Sequence, residues 1–413
     1  MLPDRGRWRN AVNLLLCMAA VAGVLVGGWS MLDTYETRKH RAESRRVIGE
    51  ACAGLADADE VMRLDGGADR LGISGLNPEI IDIEGLPDRC ELGRVGVKAG
   101  KDYFRSHFTL AVRALPQADP LHVLDTFLDE SPFVRRVSGD DADITARTRI
   151  EQRHPLGDGS AGDYDSSAVA VTVRCAAPAE GGTTAIRASA IADYAAGTTT
   201  AADRRRLSRL ARTAAGRAAA EVGCATSVPE LPADLPVPAR DLGSATGRQD
   251  SCGWYAEYLR GQDRGRLPDR ALGVPVAAAS RQESCLLAVG PSEVKRIFPQ
   301  LTEEERGRAS LREVLTSSPW WIRTRAFFEE EAAVAYKETR YPTQIDPGEA
   351  GHKGQLRWAT ATCQGRPAVF TLSAGEFRYS RMVESRLAAL FTAYAEHTAA
   401  RRGCVNLVLP GAG

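Results

Sequence analysis

The chain has 413 residues, enough for two or three domains, and its 53 basic and 53 acidic residues give a formal net charge of zero. A nucleic-acid-binding protein would be expected to have a basic excess, so this balance argues against that class. Composition alone leaves both a soluble and a membrane-anchored protein open, and the N-terminal residues distinguish them.

The first predicted element is a helix long enough to cross a membrane. Residues 1–10 are basic, and residues 11–32 are apolar at all but two positions. A run of 22 residues at about 1.5 Å each extends roughly 33 Å, which matches the hydrocarbon core of a bilayer. Trp8 and Trp29 bracket the run, where interfacial aromatic residues are typical. We predict a cytoplasmic tail at 1–10 and a transmembrane helix at 11–32, the alternative being a buried helix of a soluble protein.

The apolar run also has features of a signal peptide. Ala20-Val21-Ala22 has the small-x-small form of a cleavage site, but the run continues beyond it through Val26. A cleavable segment is shorter, so an uncleaved anchor is expected. Three basic residues precede the run and five follow it closely, which by itself favours a cytoplasmic C-terminal side. The cysteines favour the opposite orientation, with the C-terminal part outside the cytoplasm.

Small residues recur on one face of the predicted transmembrane helix, at Ala19, Gly23 and Gly27. A spacing of four residues lets two helices pack closely within a bilayer. The predicted partners are therefore the membrane itself and a second copy of the chain, in a homodimer.

The next residues are predicted to form a charged stalk at 33–46 and then a first α+β repeat at 47–225. Within that repeat, His107 to Leu115 has the pattern of a strand, and Leu121 to Leu128 that of a short helix. Residues 138–166 are rich in Asp and Gly, so an exposed loop is expected there.

A β-hairpin followed by a long helix ends the first repeat. Val169, Val171 and Val173 alternate along one predicted strand, and a Pro/Gly-rich turn leads to a second strand at 184–191. The helix that follows, at 204–224, ends in Gly-Cys. Gly is the usual residue for a left-handed helix cap, so the helix is expected to stop there.

The same order recurs near the C-terminus. Strands are predicted at 356–363 and 368–374, followed by a helix at 384–404 that also ends in Gly-Cys. Eight of the 21 positions of the two helical stretches are identical. A Pro-rich segment at 226–250 is predicted to link the first repeat to a second repeat at 251–413.

Eight of the nine cysteines form two sets of four, with intervals of 38, 85 and 49 residues in the first and 33, 78 and 41 in the second. This pattern predicts disulfides and an oxidising compartment, and the alternative is free core cysteines in a cytoplasmic protein. Zinc is disfavoured because no C-x-x-C pair occurs. The candidate disulfide cysteines are Cys52, Cys90, Cys175, Cys224, Cys252, Cys285, Cys363 and Cys404.

The predicted path of each hairpin and helix suggests how these cysteines pair. The first hairpin strand ends in Cys near the turn, and the returning helix brings its terminal Cys back to the same end. The other two cysteines of each repeat are then partners by elimination. Four cysteines allow three connectivities, so the pairing is a hypothesis at this point. The pairs are Cys175–Cys224, Cys363–Cys404, Cys52–Cys90 and Cys252–Cys285.

Signatures of catalysis and of cofactor binding do not occur in the sequence. It contains no G-x-S-x-G, no P-loop, no G-x-G-x-x-G on a strand-to-helix turn and no H-E-x-x-H. The six histidines have no ligand spacing, and ordinary surface or capped residues are expected. No catalytic residue, cofactor or metal is therefore predicted.

Three clusters have both a functional and a structural interpretation. The Asp residues between 140 and 165 carry oxygen atoms of the kind that bind Ca²⁺, but the EF-hand spacing is missing, which favours a solvated loop. Glu329-Glu330-Glu331 would supply a general acid, although consecutive carboxylates more often form a solvated edge. Trp320-Trp321 and Phe327-Phe328 would line a ligand groove or, more commonly, belong to the core.

The Arg-, Ala- and Gly-rich composition, with only six lysines among the 53 basic residues, resembles that of uncharacterised single-pass membrane-anchored proteins of high-GC Gram-positive bacteria. The resemblance implies no particular activity. A ten-residue tail is too short for a signalling domain, so the working part is expected outside the cytoplasm. The expected function is an extracytoplasmic binding or scaffolding protein of unknown ligand. The alternative is an extracytoplasmic hydrolase acting on cell-envelope polymers.

Overall fold

The computed structural model describes residues 5–73, 81, 88–98, 101–116, 120–126, 131–134, 143–149, 151–157, 162–194, 199–228, 230–232, 234–338, 341–375 and 377–411. The fold is α+β, with a long N-terminal helix and antiparallel sheets.

The long helix, α1 at Arg5–Ala51, has 47 residues and at about 1.5 Å per residue is roughly 70 Å long. Among the described residues it is the one helix long and apolar enough to cross a membrane, and its apolar stretch is fully exposed. The same helix continues into the first half of the protein, where Ser44 and Ile48 are buried. Within the predicted stalk at 33–46, Arg41 pairs with Asp69 and Ser44 is buried, so α1 contacts the first half there.

The described residues of the first half form two further helices and eight strands. They are α2 at Ala58–Met62, β1 at Leu71–Ile73, β2 at Asp88–Lys98, β3 at Lys101–Leu115, β4 at His122–Asp125, β5 at His154–Pro155, β6 at Gly162–Tyr164, β7 at Ala168–Arg174, β8 at Ala185–Ala192 and α3 at Ala201–Glu221. Seven of the strands form the first sheet, in the order β1-β2-β3-β8-β7-β6-β5.

The first sheet buries one face against α3 and the end of α1. Val169 and Val171 of β7 share this core with Leu207 and Leu210 of α3, as the two periodicities of the sequence predicted. The opposite face of β7 is buried too and carries small or polar residues such as Thr172. Both faces are covered because this sheet packs on the second half of the chain.

In the second half, the residues that the structure describes form ten strands and five helices. They are β9 at Gly243–Ser244, α4 at Gly253–Tyr258, β10 at Arg270–Gly273, β11 at Gln282–Ala288, α5 at Pro291–Ile297, α6 at Glu303–Arg306, α7 at Leu311–Thr316, β12 at Trp321–Phe328, β13 at Val334–Lys337, β14 at Pro342–Gln344, β15 at Gly351–Lys353, β16 at Leu356–Cys363, β17 at Arg366–Gly375, α8 at Phe377–Arg401 and β18 at Cys404–Val408. The second sheet has the order β15-β16-β17-β12-β11-β10-β9, and β18 pairs with β16.

Helices α3 and α8 end in the way that the sequence predicted. Gly223 has φ +69° and Gly403 has φ +63°, a left-handed backbone that favours glycine. Each glycine precedes a disulfide-bonded Cys. The helix α8 packs on the second sheet through residues such as Leu390 and Phe391, in a core of its own.

Strand order is alike in the two sheets. The first runs β1-β2-β3-β8-β7-β6, and the second runs β10-β11-β12-β17-β16-β15. In the first sheet β3 lies beside β8, the second strand of the β7–β8 hairpin, and α3 follows that hairpin in the chain. In the second sheet β12 lies beside β17 of the β16–β17 hairpin, and α8 follows. The halves differ between their second and third strands, since α5, α6 and α7 stand where the first half has a direct β2–β3 connection.

Four disulfides join the pairs that the sequence analysis proposed. Three have Cα atoms 4.9–5.2 Å apart, and the pair opposed across β16 and β18 has Cα atoms 3.9 Å apart. Cys17, in the exposed apolar part of α1, is not bonded. The pairs are Cys52–Cys90, Cys175–Cys224, Cys252–Cys285 and Cys363–Cys404.

Two predictions of local structure are wrong. His122 to Asp125, within the predicted helix at 121–128, is strand β4, because it pairs with β13 of the second half. The predicted exposed loop at 138–166 contains β5 and β6, and Asp163 of β6 is only 4% exposed. β4 pairs with a strand of the second half, and β6 pairs with β7 of the first sheet; local sequence patterns encode neither pairing.

Candidate functional site

The two halves meet through a three-stranded junction sheet of β4, β13 and β14. Strands β4 and β13 pair in parallel, from His122 opposite Val334 to Asp125 opposite Lys337, and β14 lies beside β13. Leu124 of β4 belongs to a hydrophobic cluster of the second half. In the chain, β4 follows β3 and β13 follows β12. Each half therefore contributes to the junction sheet the strand that comes next after β3 or after its counterpart β12.

A buried ion network of His122, Asp163, Arg187, Gln282 and Glu331 lies at this junction. The Arg187 guanidinium on β8 donates to Asp163 Oδ2 at 2.7 Å and to Glu331 Oε1 at 2.5 Å. Glu331 Oε2 lies 2.7 Å from His122 Nε2 and accepts from Gln282 Nε2 at 3.0 Å. The side chains of Arg187, Asp163 and Glu331 are 11%, 6% and 4% exposed. Charges this far from water are tolerated only when paired, as they are here.

Both carboxylates of the network are ionised at neutral pH. Burial opposes this, but the Arg187 charge and the hydrogen bond from His122 outweigh it and lower the pKa of Glu331 to about 2. Burial also opposes ionisation of Asp163, whose pKa is lowered by the guanidinium groups of Arg187 and Arg153. A general acid needs a pKa near its working pH. Glu331 therefore pairs with Arg187 across the two halves, and Asp163 holds the same guanidinium from within the first half.

The prediction of a solvated edge at Glu329–Glu331 is wrong. Their side chains are 13%, 8% and 4% exposed. Glu329 and Glu330 pair with Arg174 of β7, and Glu331 pairs with Arg187 of β8. The reason is that arginines of both halves face these carboxylates, since Arg281 also pairs with Glu329 and Arg366 with Glu330. The sequence signal for this was one arginine in each of two strands whose other residues are mostly apolar.

A cavity of about 820 Å³ lies between α5, α7 and residues 143–145 of the first half. We call it the α5–α7 cavity. Its volume falls within the roughly 300–1,000 Å³ that is usual for small-molecule sites. Most of its lining is apolar, which suits the hydrophobic part of a ligand. The apolar lining residues are Ile144, Val289, Val294, Leu311, Val314 and Leu315.

Asp143 and Thr145 hold the first-half wall of the cavity in place. Asp143 Oδ1 accepts hydrogen bonds from the backbone N and the Oγ1 of Thr145, at 3.2 and 3.1 Å. Its Oδ2 lies 2.6 Å from Arg270 Nη1 of β10. Thr145 Oγ1 also lies 3.4 Å from the Val289 carbonyl oxygen. The cavity therefore needs both halves of the chain to be assembled.

Two cations of the second half complete the polar part of the lining. Lys295 lies on α5 and Arg312 on α7, and both are exposed. Among the described residues, no carboxylate is bonded to either side chain, whereas Asp143 is already paired with Arg270. The unneutralised charge of the lining is positive, which favours a ligand that carries an anionic group.

The aromatic residues singled out in the sequence lie in cores and not in the cavity lining. Trp320 is 2% exposed, and its ring is stacked on that of Tyr379 with centroids 5.5 Å apart. Trp321 and Phe328 are also 2% exposed, and Phe327 is 3% exposed. The core interpretation of this cluster is therefore confirmed.

The expectation of ordinary surface histidines is wrong for His107, which is 1% exposed. Burial lowers the pKa of its imidazole. Its Nε2 lies 3.2 Å from the Val61 carbonyl oxygen, and its Nδ1 accepts from Arg94 at 3.3 Å. The ring is thus a bonded part of the first core, with no open coordination position.

The acidic cluster of the sequence is only partly described. Asp140, Asp141 and Asp158 lie outside the described residues. Asp163 belongs to the ion network, and Asp165 accepts hydrogen bonds from the chain that follows it. Within the described part of the chain, no group of three His, Cys, Asp or Glu side chains is arranged to hold a metal ion.

The small residues Ala19, Gly23 and Gly27 lie in the exposed apolar part of α1. A Cβ added at Gly23 or at Gly27 would meet no atom within 4 Å. Packing of this face against a second copy of the chain stays a prediction.

Comparison of the chain with protein-family models, with curated proteins and with solved structures finds no match.

Proposed function

We propose that the protein is a single-pass, membrane-anchored binding protein whose folded halves lie outside the cytoplasm and whose α5–α7 cavity takes a small ligand. The cavity carries this proposal, because its volume and apolar lining suit a small molecule with a hydrophobic body. Lys295 and Arg312 favour an anionic group on that ligand. Removing one such charged contact is expected to weaken binding by roughly ten-fold or more.

The cellular location has two supports. The apolar stretch of α1 has a mean hydropathy of 2.0 and is not covered by the rest of the chain. The four disulfides favour an oxidising compartment for the remainder. Together they favour an N-terminus in the cytoplasm and both halves outside.

A hydrolase acting on envelope polymers, the alternative, would need two accessible carboxylates near each other. Asp163 and Glu331 lie close together, but both are buried and both pair with the guanidinium of Arg187. Asp143, in the cavity lining, is paired with Arg270. These observations favour the binding protein over the hydrolase.

We also propose that the two halves are tandem copies of one unit, a hairpin followed by a helix that ends in Gly-Cys. The matching strand orders and the matching disulfide positions support this. An experimental structure in which the strand order of either sheet differs would remove that support.

The cavity is tested with two fluorescent probes that differ only in charge. One is 1-anilinonaphthalene-8-sulfonate, and the other is the uncharged N-phenyl-1-naphthylamine. Each is titrated into nanodiscs that hold the full chain, and the signal of empty nanodiscs is subtracted. Leu315→Trp fills the cavity and is expected to abolish saturable binding of both probes. Lys295→Glu is expected to weaken binding of the sulfonate probe by about ten-fold, because one charged contact is lost. The affinity for the uncharged probe should not change.

The matched control is Arg308→Glu, which makes the same kind of charge change at an exposed residue outside the cavity lining. It is expected to leave both affinities unchanged. Equal saturable binding by the wild type and by Leu315→Trp would contradict the proposed site, and equal effects of Lys295→Glu on both probes would contradict the anionic ligand.

A further inference from the structure

Beside the buried ion network, a second cluster of charges forms where the acidic turn after β12 meets the first half. Glu329 pairs with Arg174 of β7, and its Oε1 lies 3.0 Å from Arg281 Nη1. Glu330 Oε1 lies 2.8 Å from Arg366 Nη1, and its Oε2 lies 3.5 Å from Arg174 Nη2. We call Arg174, Arg281 and Arg366 the three-arginine cluster.

The carboxylates around this cluster are too few to balance its charge. The acidic turn supplies two carboxylates for the three guanidinium groups. Arg402 lies next to the cluster, because it donates to the carbonyl oxygen of Ser280, the residue before Arg281. The carboxylate partner of Arg402 is Glu283, which also pairs with Arg401. Among the described residues, these five arginines and three glutamates leave an excess of two positive charges.

The pKa values of two of these arginines reflect the excess. A guanidinium normally keeps its pKa above 12. Burial, together with the neighbouring charge of Arg174, lowers the pKa of Arg281 to about 10. Burial also lowers the pKa of Arg174, with a smaller contribution from the charge of Arg366. The carboxylates of the turn therefore compensate these cations only in part.

Many hydrogen-bond donors of the cluster have no acceptor in the described part of the chain. Each guanidinium has five N–H donors. The Nε atoms of Arg174 and Arg281 are buried without a hydrogen-bond partner. Arg366 donates to Glu330 through Nη1, and its Nε and Nη2 have no described partner. The side chains of Arg174 and Arg366 are 34% and 43% exposed, so the cluster is open to solvent on their side.

We propose that the three-arginine cluster binds a phosphate group. The planar guanidinium fork matches two oxygens of a phosphate, and a dianion offsets the excess of two positive charges. The partly exposed guanidinium groups of Arg174 and Arg366 are the ones that an incoming anion meets first. Because Arg174 belongs to the first half and Arg366 to the second, the bound anion links the two halves. The phosphate group is that of free phosphate or of a phosphate ester.

The phosphate site is separate from the α5–α7 cavity. Arg281 precedes β11, and Val289 of the cavity lining follows that strand. Eight residues of extended chain place them about 26 Å apart. The inference therefore does not rest on the proposed ligand of the cavity.

The site is tested by calorimetric titration of the full chain in dodecyl maltoside micelles, which contain no phosphate. Inorganic phosphate and glycerol 3-phosphate are titrated separately, and sodium chloride keeps the ionic strength constant so that general screening does not change. Saturable binding with one site per chain is expected. Tighter binding of inorganic phosphate would assign the site to the free ion, and equal or tighter binding of glycerol 3-phosphate would assign it to esters.

Two variants remove one guanidinium from each half. Arg174→Gln and Arg366→Gln are each expected to weaken phosphate binding by about ten-fold or more, the loss of one charged contact. The matched control is Arg381→Gln, which removes an arginine of α8 that is 57% exposed and pairs with Glu304. Arg381 lies 21 residues before Arg402, or about 30 Å along the helix, and its replacement should leave the affinity unchanged.

The titrations also give the results that would overturn the proposal. Absence of saturable binding of both phosphates to the wild type would overturn it without any variant. Equal weakening by Arg381→Gln and Arg366→Gln would show that the protein attracts phosphate only through its general surface charge. Weakening by Arg366→Gln with no effect of Arg174→Gln would overturn the link between the halves.

Discussion

Replacement of Arg187 by Met is expected to lower the free energy of unfolding by about 3–5 kcal/mol, the usual cost of removing one partner from a buried ion pair. The change leaves Glu331 buried with His122 and Gln282 but without the guanidinium charge of Arg187. Asp163 keeps Arg153, whose Nη1 lies 2.5 Å from its Oδ1. Urea titration of the full chain, followed by tryptophan fluorescence, measures the effect.

The matched control is Arg209→Met. Arg209 also has a carboxylate partner, Glu60 at 2.9 Å, but its side chain is 55% exposed. Such a surface pair contributes at most about 1 kcal/mol. Equal effects of the two substitutions would contradict the view that the buried network joins the halves.

The same substitution is expected to change the dependence of stability on pH. The pKa of Glu331 is lowered from 4.5 to about 2 in the folded protein, so its contribution is fully present above the unfolded value and is lost as pH falls from 4.5 toward 2. That shift corresponds to roughly 3 kcal/mol at neutral pH. Arg187→Met should therefore be most destabilising near neutral pH and progressively less so in acid. A difference from wild type that is constant from pH 7 to about pH 3 would contradict this.

Replacement of Cys404 by Ser is expected to destabilise the second half by about 4 kcal/mol, because the disulfide to Cys363 closes a loop of 41 residues in the unfolded chain. The bond also holds β18 beside β16, where Cys404 lies opposite Cys363. Loss of the bond should leave Cys363 open to alkylation in mild urea. The urea midpoint of the tryptophan signal measures the change in stability.

Cys17→Ser is the control for this change. Cys17 is exposed in the apolar part of α1 and has no disulfide, so its replacement should leave the urea midpoint unchanged. Unchanged stability of Cys404→Ser, with Cys363 still protected from alkylation, would mean that the two cysteines are not partners.

Local patterns in the sequence predicted the elements that depend on local chemistry. Alternating valines gave strand β7, and a run of Leu and Ala at helical spacing gave α3. Gly223 and Gly403 marked the helix ends because only glycine readily adopts the left-handed conformation found there. The cysteine pairing followed from the lengths of strand and helix, which are fixed by their rise per residue.

Contacts between the halves were the part that the sequence did not predict. β4 is a strand because β13 lies beside it, a partner about 210 residues away in the chain. Glu329–Glu331 appeared to be a solvated edge, since three adjacent carboxylates normally need water. They are buried because arginines distant in the chain pair with them: Arg187 of the first half pairs with Glu331. Arg281 and Arg366 of the second half pair with Glu329 and Glu330.

The candidate site was missed for the same reason. The α5–α7 cavity combines residues 143–145 with two short helices that begin near 291 and 311. No motif connects these stretches, and each alone has an ordinary composition. Lys295 and Arg312 become a candidate recognition pair only when the cavity places both of them in one lining.

The most direct test of the proposed location and architecture is a disulfide map of the protein taken from its native membrane, with free thiols blocked at the moment of lysis. Four linked peptide pairs are expected, with Cys17 as the one alkylated cysteine. Alkylation of all eight other cysteines would contradict an extracytoplasmic location, and a peptide that joins Cys404 to Cys252 or Cys285 would contradict the fold.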